Sequence, residues 1–206
     1  MLDKFIIQID KALRTLTHKA VSRREHPDAN IPETTLTKSE VKHVVGLMRV
    51  DHCGEICAQG LYQGQALTSR DKTNKDAFEQ AAFEEIEHLA WTEKRINELG
   101  GKTSYLNPLF YVGSLALGVG AGILGDKWNL GFLEETENQV GQHLDEHLHQ
   151  IPQHDEKSKA ILEQMKQDEA QHAHMAHNYG SADLPTPIKL LMQASSRLMT
   201  KTTYYL

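Results

Sequence analysis

Several devices that commonly organise a chain are scarce in this one. Its 206 residues include two cysteines, Cys53 and Cys57. They stand four apart in a stretch that reads as helix, so no disulfide framework is indicated and a reducing compartment is expected. Excess positive charge is missing too: the formal net charge is −6, which argues against nucleic acid as a partner, because phosphate binding wants a basic surface. No convincing run of alternating polar and apolar residues marks a strand. The opening MLDKFIIQIDKALRTL sets Asp3, Lys4, Asp10 and Lys11 among its apolar residues, so it lacks the unbroken core of a signal peptide. No glycine-rich dinucleotide fingerprint is visible either.

What is present is ordinary in amount and unusual in placement. Hydrophobic residues make up 39% and charged residues 24%, values that fit one soluble domain with a sizeable core. The charge is uneven: residues 1–24 carry +4 and residues 186–206 carry +3, which leaves −13 for the middle. An acidic centre between two basic ends calls for an account of both.

Helical periodicity dominates, and the expected organisation is all-α. Residues 2–20 read as an amphipathic helix through Phe5, Ile6, Ile9, Leu13 and Leu16. Pro27 and Pro32 mark 22–36 as a linker. Thr37 and Glu40 form a capping box that starts a helix over about 38–68. Further helices are expected over about 75–99, stopped by Gly100-Gly101, over about 130–150, and over about 156–178, stopped at Gly180. A last helix begins at Thr186-Pro187, with Ile188, Leu191, Met192 and Met199 on one side. Residues 1–35 are thus a terminal helix and linker, and 36–206 hold a four-helix bundle with a hydrophobic crossover between its second and third helices.

The acids fall at particular places on those helices. Val41, Val44, Met48, Glu55 and Tyr62 share one stripe. So do Phe78, Ala81, Glu85, His88, Thr92 and Leu99; Leu130, Leu133, Glu137, Val140, Leu144, Leu148 and Ile151; and Ile161, Met165, Glu169, His172, Ala176 and Tyr179. Each bundle helix therefore puts a carboxylate in the middle of its apolar face, and two add a histidine one turn on. A buried, unpaired carboxylate is costly, and four converging in one core would repel one another. Two divalent metals resolve both problems, since four carboxylates and two neutral imidazoles balance two Fe²⁺. Oxygen and imidazole donors suit iron or manganese better than zinc or copper alone. The pattern also repeats: Glu55 to Glu85 is 30 residues and Glu137 to Glu169 is 32, each pair a lone Glu followed by Glu-x-x-His. That is the ligand pattern of ferritin-like di-iron bundles. The expected metal ligands are Glu55, Glu85, His88, Glu137, Glu169 and His172.

Neighbouring residues are weaker candidates. Asp51, one turn before Glu55, is placed to orient a ligand histidine through its second ring nitrogen. Tyr62, two turns beyond Glu55, is placed to pass a proton or electron. Gly46, Cys53 and Gly60 recur at sevens, which reads as small-residue helix packing rather than a zinc site. His143, His147, His149, His154, His174 and His177 read as mostly solvated, with one or two near the metals.

The segments Arg49-Val50-Asp51-His52-Cys53-Gly54-Glu55, Glu84-Glu85-Ile86-Glu87-His88, Glu134-Glu135-Thr136-Glu137 and Asp168-Glu169-Ala170-Gln171-His172 resemble those of the demethoxyubiquinone hydroxylases of ubiquinone biosynthesis. The resemblance covers roughly 36–206 and matches all six ligands. It implies a di-iron monooxygenase that adds one oxygen from O₂ to the last unsubstituted ring position of a 2-polyprenyl-3-methyl-6-methoxy-1,4-benzoquinol. It also implies NADH or another reductant as electron source, and as partners further copies of the chain or other ubiquinone-biosynthesis proteins.

A polyprenyl quinol lives in the bilayer. Residues 106–125 (LNPLFYVGSLALGVGAGILG) contain no charge and five glycines. Spanning the membrane there would separate two halves of one core, so the stretch is expected to dip into the membrane or line a quinol channel. Basic amphipathic ends suit an anionic lipid surface. Peripheral attachment to the cytoplasmic side of the cell membrane is the expected location. Two other classes use the same ligands: a ferritin-like iron-storage or iron-oxidising protein, and a membrane-associated assembly module whose metal is only structural. The apolar stretch speaks against a storage cage, and four buried acids exceed what a closed structural site needs.

Overall fold

The Thr37 side chain accepts from the Glu40 backbone N–H, while the Glu40 carboxylate accepts from the Thr37 N–H. This reciprocal cap opens the first bundle helix, as its sequence requires. A computed structural model describes residues 2–206, apart from the side chains of Leu2, Lys4 and Phe5. The expected place of Phe5 on an apolar face therefore lies outside the described residues. The elements are α1 (Leu2–Thr17), α2 (Lys38–Thr68), α3 (Lys72–Glu98), α4 (Asn107–Ile123), α5 (Asp126–Gln150), α6 (Glu156–Asn178) and α7 (Thr186–Thr203). There is no strand among the described residues.

Helix α1 ends at Thr17 rather than at 20, and two helix starts differ from expectation for identifiable reasons. Helix α3 starts at Lys72 rather than near 75, because the Asp71 carboxylate accepts from the Thr73 and Asn74 N–H groups. Helix α5 starts at Asp126 rather than near 130: Gly125, at φ 111°, turns the chain where a side chain would be strained. The Asp126 carboxylate then accepts from the Ser69 hydroxyl and the Arg70 and Asp71 N–H groups, tying that start to the α2–α3 turn.

Helices α2, α3, α5 and α6 form the four-helix bundle. One apolar cluster, with Met48, Trp91, Leu144 and Met165, fills one end. A second, with Tyr62, Phe78, Leu133 and Ala176, fills the other. On every bundle helix the predicted Glu lies between residues of these two clusters. Outside them, buried Arg95 donates to Glu33, Asp155 and Ser158, and Lys94 donates to Asp28. These contacts fasten the 22–36 segment to α3 and α6.

The charge-free stretch is itself a helix, α4, laid along α2. A Cβ on Gly60 would meet the Tyr111 carbonyl oxygen at 2.6 Å, and one on Gly118 would run into that of Leu61. The glycines therefore let two backbones touch, and Gly46 is similarly covered by the Tyr204 ring. The opposite side of α4 leaves Leu109, Val112, Leu117 and Ile123 exposed, and Leu124 just past its end is exposed too. None of the described helices is long and apolar enough to cross a membrane. Helix α1 exposes Ile6, Ile7, Ile9 and Leu13, while α7 exposes Leu190, Leu191 and Leu198.

Candidate metal centre

All six predicted ligands meet in the bundle core, and each is at most 4% exposed. They form two overlapping groups: Glu55, Glu85, His88 and Glu169, and Glu85, Glu137, Glu169 and His172. In each group, donor atoms from all four residues lie within 4.8 Å of one another. Glu85 and Glu169 belong to both, so these two acids are placed to bridge. The sequence left that choice open among four glutamates.

Both histidines turn Nδ1 inward. His88 Nδ1 lies 2.7 Å from Glu85 Oε2 and 3.2 Å from Glu169 Oε1. His172 Nδ1 lies 3.2 Å from Glu85 Oε1 and 3.3 Å from Glu169 Oε2. Their outer nitrogens are held crosswise. His88 Nε2 is 3.1 Å from Asp168 Oδ2, and His172 Nε2 is 2.7 Å from Glu84 Oε2. The residue just before each Glu of Glu-x-x-His thus braces the histidine of the other motif. Asp168 is held in turn by Arg24 Nη1 at 2.6 Å and Gln164 Nε2 at 2.9 Å, while the Arg24 guanidinium stacks 4.8 Å from the Trp91 ring.

Asp51 does not take the expected part. Its Oδ1 lies 2.8 Å from His147 Nδ1, because α5, which carries no ligand histidine, faces that turn of α2. His147 is buried and His143 half-buried, whereas His149, His154, His174 and His177 are exposed as expected. Tyr62 is 1% exposed, and its phenol oxygen has no hydrogen-bond partner. Cys53 and Cys57 are free thiols within the packed helix. Asp168, Glu84 and Arg24 were missed. The first two carried a usable signal, being acids immediately before the two doubled motifs. Arg24 carried none, since it lies 144 positions from its partner.

The electrostatics suit a pair of divalent cations. Burial and repulsion from Glu85 push the Glu55 carboxyl well above its usual range. Burial and Glu169 do the same to Glu137. Burial opposes protonation of the histidines, but the surrounding carboxylates outweigh it. They raise His88 well above 6.5, with Glu85 foremost, and His172 to about 12 through Glu169 and Glu85. Burial also opposes ionisation of Glu85, yet His88 and His172 pull its pKa below the usual range. The raised values of Glu55, Glu137, His88 and His172 show a cluster that favours added positive charge, which two divalent cations would supply. Both Glu85 oxygens, Glu137 Oε1, Glu169 Oε1 and His88 Nδ1 are buried without hydrogen-bond partners. Atoms left so are expensive unless something binds them, and these carboxylate and imidazole donors fit metal ions.

The comparisons agree in breadth. The chain is 62% identical over 204 residues to a 3-demethoxyubiquinol 3-hydroxylase of Chromobacterium violaceum, covering 99% of both chains. A protein of the same name from Laribacter hongkongensis is 58% identical over 206 residues, all of both chains. Another, from Dechloromonas aromatica, is 56% identical over 202 residues, 98% of each. The model of one family, described as Ubiquinone biosynthesis protein COQ7, matches residues 42–203, which contain every residue of both ligand groups. By that match and those identities, the chain belongs to the ubiquinone biosynthesis protein COQ7 family.

Proposed function

We propose that this chain hydroxylates the ring of a demethoxyubiquinol, 2-polyprenyl-3-methyl-6-methoxy-1,4-benzoquinol, with oxygen from O₂. Two iron ions would be held by Glu55, Glu85, His88, Glu137, Glu169 and His172. The reading is carried by the two buried donor groups joined through Glu85 and Glu169, in a chain aligned end to end with 3-demethoxyubiquinol 3-hydroxylases. Iron bound there supplies the redox chemistry that O₂ activation needs. The chain's own residues do the rest. Asp168 and Glu84 fix the tautomer and aim of the two imidazoles. The flanking apolar clusters keep bulk water away from the reacting atoms. Tyr62, with a buried and unpartnered hydroxyl two turns from Glu55, is suited to hand a proton to an oxygen on the substrate side. Electrons come from NADH or another external reductant.

The substrate's prenyl tail gives the exposed apolar faces of α1, α4 and α7 a use. Set on the cytoplasmic surface of the cell membrane, with Lys and Arg at both ends of the chain toward anionic headgroups, they would let a quinol leave the bilayer without crossing water. An iron-storage protein needs the same six ligands but has no use for the bare apolar side chains of α4.

The test is direct. Purified, iron-loaded chain given a short-chain demethoxyubiquinol, O₂ and reductant should yield a product heavier by one oxygen atom. Iron bound and quinol bound with no such product would sink the assignment.

A further inference from the structure

A third cluster of donors lies outside the six residues described. Asp51 of α2 meets His143 and His147 of α5, with donor atoms of all three within 4.8 Å of one another. The two imidazoles stand at i and i+4 on one helix face, with ring centroids 4.0 Å apart. Asp51 and His147 are each 4% exposed, while His143 is half-buried. This leaves a route from solvent along one imidazole.

The polar atoms here lack hydrogen bonds. Both oxygens of Asp51, Nδ1 of His147 and Nε2 of His143 are buried without partners. Asp51 Oδ1 and His147 Nδ1 approach to 2.8 Å, but no proton is aligned between them. The same signature marks the centre already described, where His88 Nδ1 and Glu85 Oε2 stand 2.7 Å apart and both lack partners. The bracing contacts of His88 with Asp168 and His172 with Glu84 are aligned hydrogen bonds instead. The Asp51–His147 contact thus resembles the His88–Glu85 contact in its short distance and unpartnered atoms.

We infer that Asp51, His143 and His147 form a third, mononuclear site for a divalent transition metal, one turn along α2 from Glu55. Two neutral imidazoles and one carboxylate make a three-ligand set with open positions, which suits Fe²⁺, Co²⁺ or Zn²⁺. The carboxylate and a divalent ion would leave a single positive charge, which a bound hydroxide would balance.

Full-length protein titrated with Co²⁺ tests this by metal analysis and visible absorption. Wild type should bind three equivalents per chain. Asp51→Asn and His143→Asn should each bind two, with the absorption of the dinuclear pair kept. His149→Asn, at an exposed histidine, should still bind three. Glu85→Ala/Glu169→Ala should keep one equivalent, lost again when His143→Asn is added; this separates the third site from the dinuclear reading. If Asp51→Asn unfolds, as judged by circular dichroism, half-exposed His143 carries the test alone. A Co²⁺ stoichiometry identical in wild type and His143→Asn overturns the site, whatever its value.

Discussion

His88 Nε2 and Asp168 Oδ2 stand 3.1 Å apart and join α3 to α6 behind the metal-facing side of the imidazole. A carboxylate there accepts the outer N–H, so Nδ1 keeps its lone pair for the site. His172 and Glu84 form the opposite half of the exchange. The two braces differ in support: Asp168 is 10% exposed at its side chain and gripped by Arg24, whereas Glu84 is 41% exposed.

Arg24 therefore tests whether the 22–36 segment serves the centre. Asp168→Asn should weaken the His88-side ion by roughly 10–100-fold, and Arg24→Ala should weaken the same ion by less. The His172-side ion should be spared in both. Mössbauer spectra of iron-loaded variants distinguish the two irons; equal loss of both would contradict the bracing role.

Sharing sets a second expectation. Glu85→Ala removes a donor from both groups, and Glu137→Ala from one. Glu85→Ala should lose both ions, and Glu137→Ala should lose mainly the ion beside His172. Metal analysis reads this directly. Full occupancy in Glu85→Ala would contradict a bridging carboxylate.

Loading should release protons. Glu55, Glu137, His88 and His172 all have raised pKa values, so protons compete with metal for these four donors. Affinity should therefore rise with pH and fall as the solution is acidified. Calorimetry of Co²⁺ binding in buffers of different ionisation enthalpy counts the protons. An enthalpy independent of buffer would refute the exchange.

The α2–α4 contact can be probed through its glycines. Gly118→Val places a side chain against the Leu61 carbonyl and should cost about 1–3 kcal/mol. Gly120→Ala, with nothing within 4 Å of its Cβ, should stabilise by about 0.5–1 kcal/mol, because alanine is the better helix former. Urea midpoints decide. Equal effects would mean that α4 does not rest on α2 through Gly118.

Sequence alone determined six of the seven described helices and set the six candidate donors on the apolar faces of four of them. A period of 3.6 residues fixes which side chains share a face, and a doubled Glu with Glu-x-x-His on four apolar faces has few uses other than a pair of metals. The caps at Thr37 and the stop at Gly180 were legible because capping is local. Only tertiary structure decided who faces whom. It made Glu85 and Glu169 the shared acids, gave His88 to Asp168 and brought Arg24 from a linker to support them. It also turned Asp51 toward His147 and laid α4 against α2. Periodicity assigns a residue to a face; its neighbour across the core depends on helix order, tilt and axial offset, which no local pattern encodes.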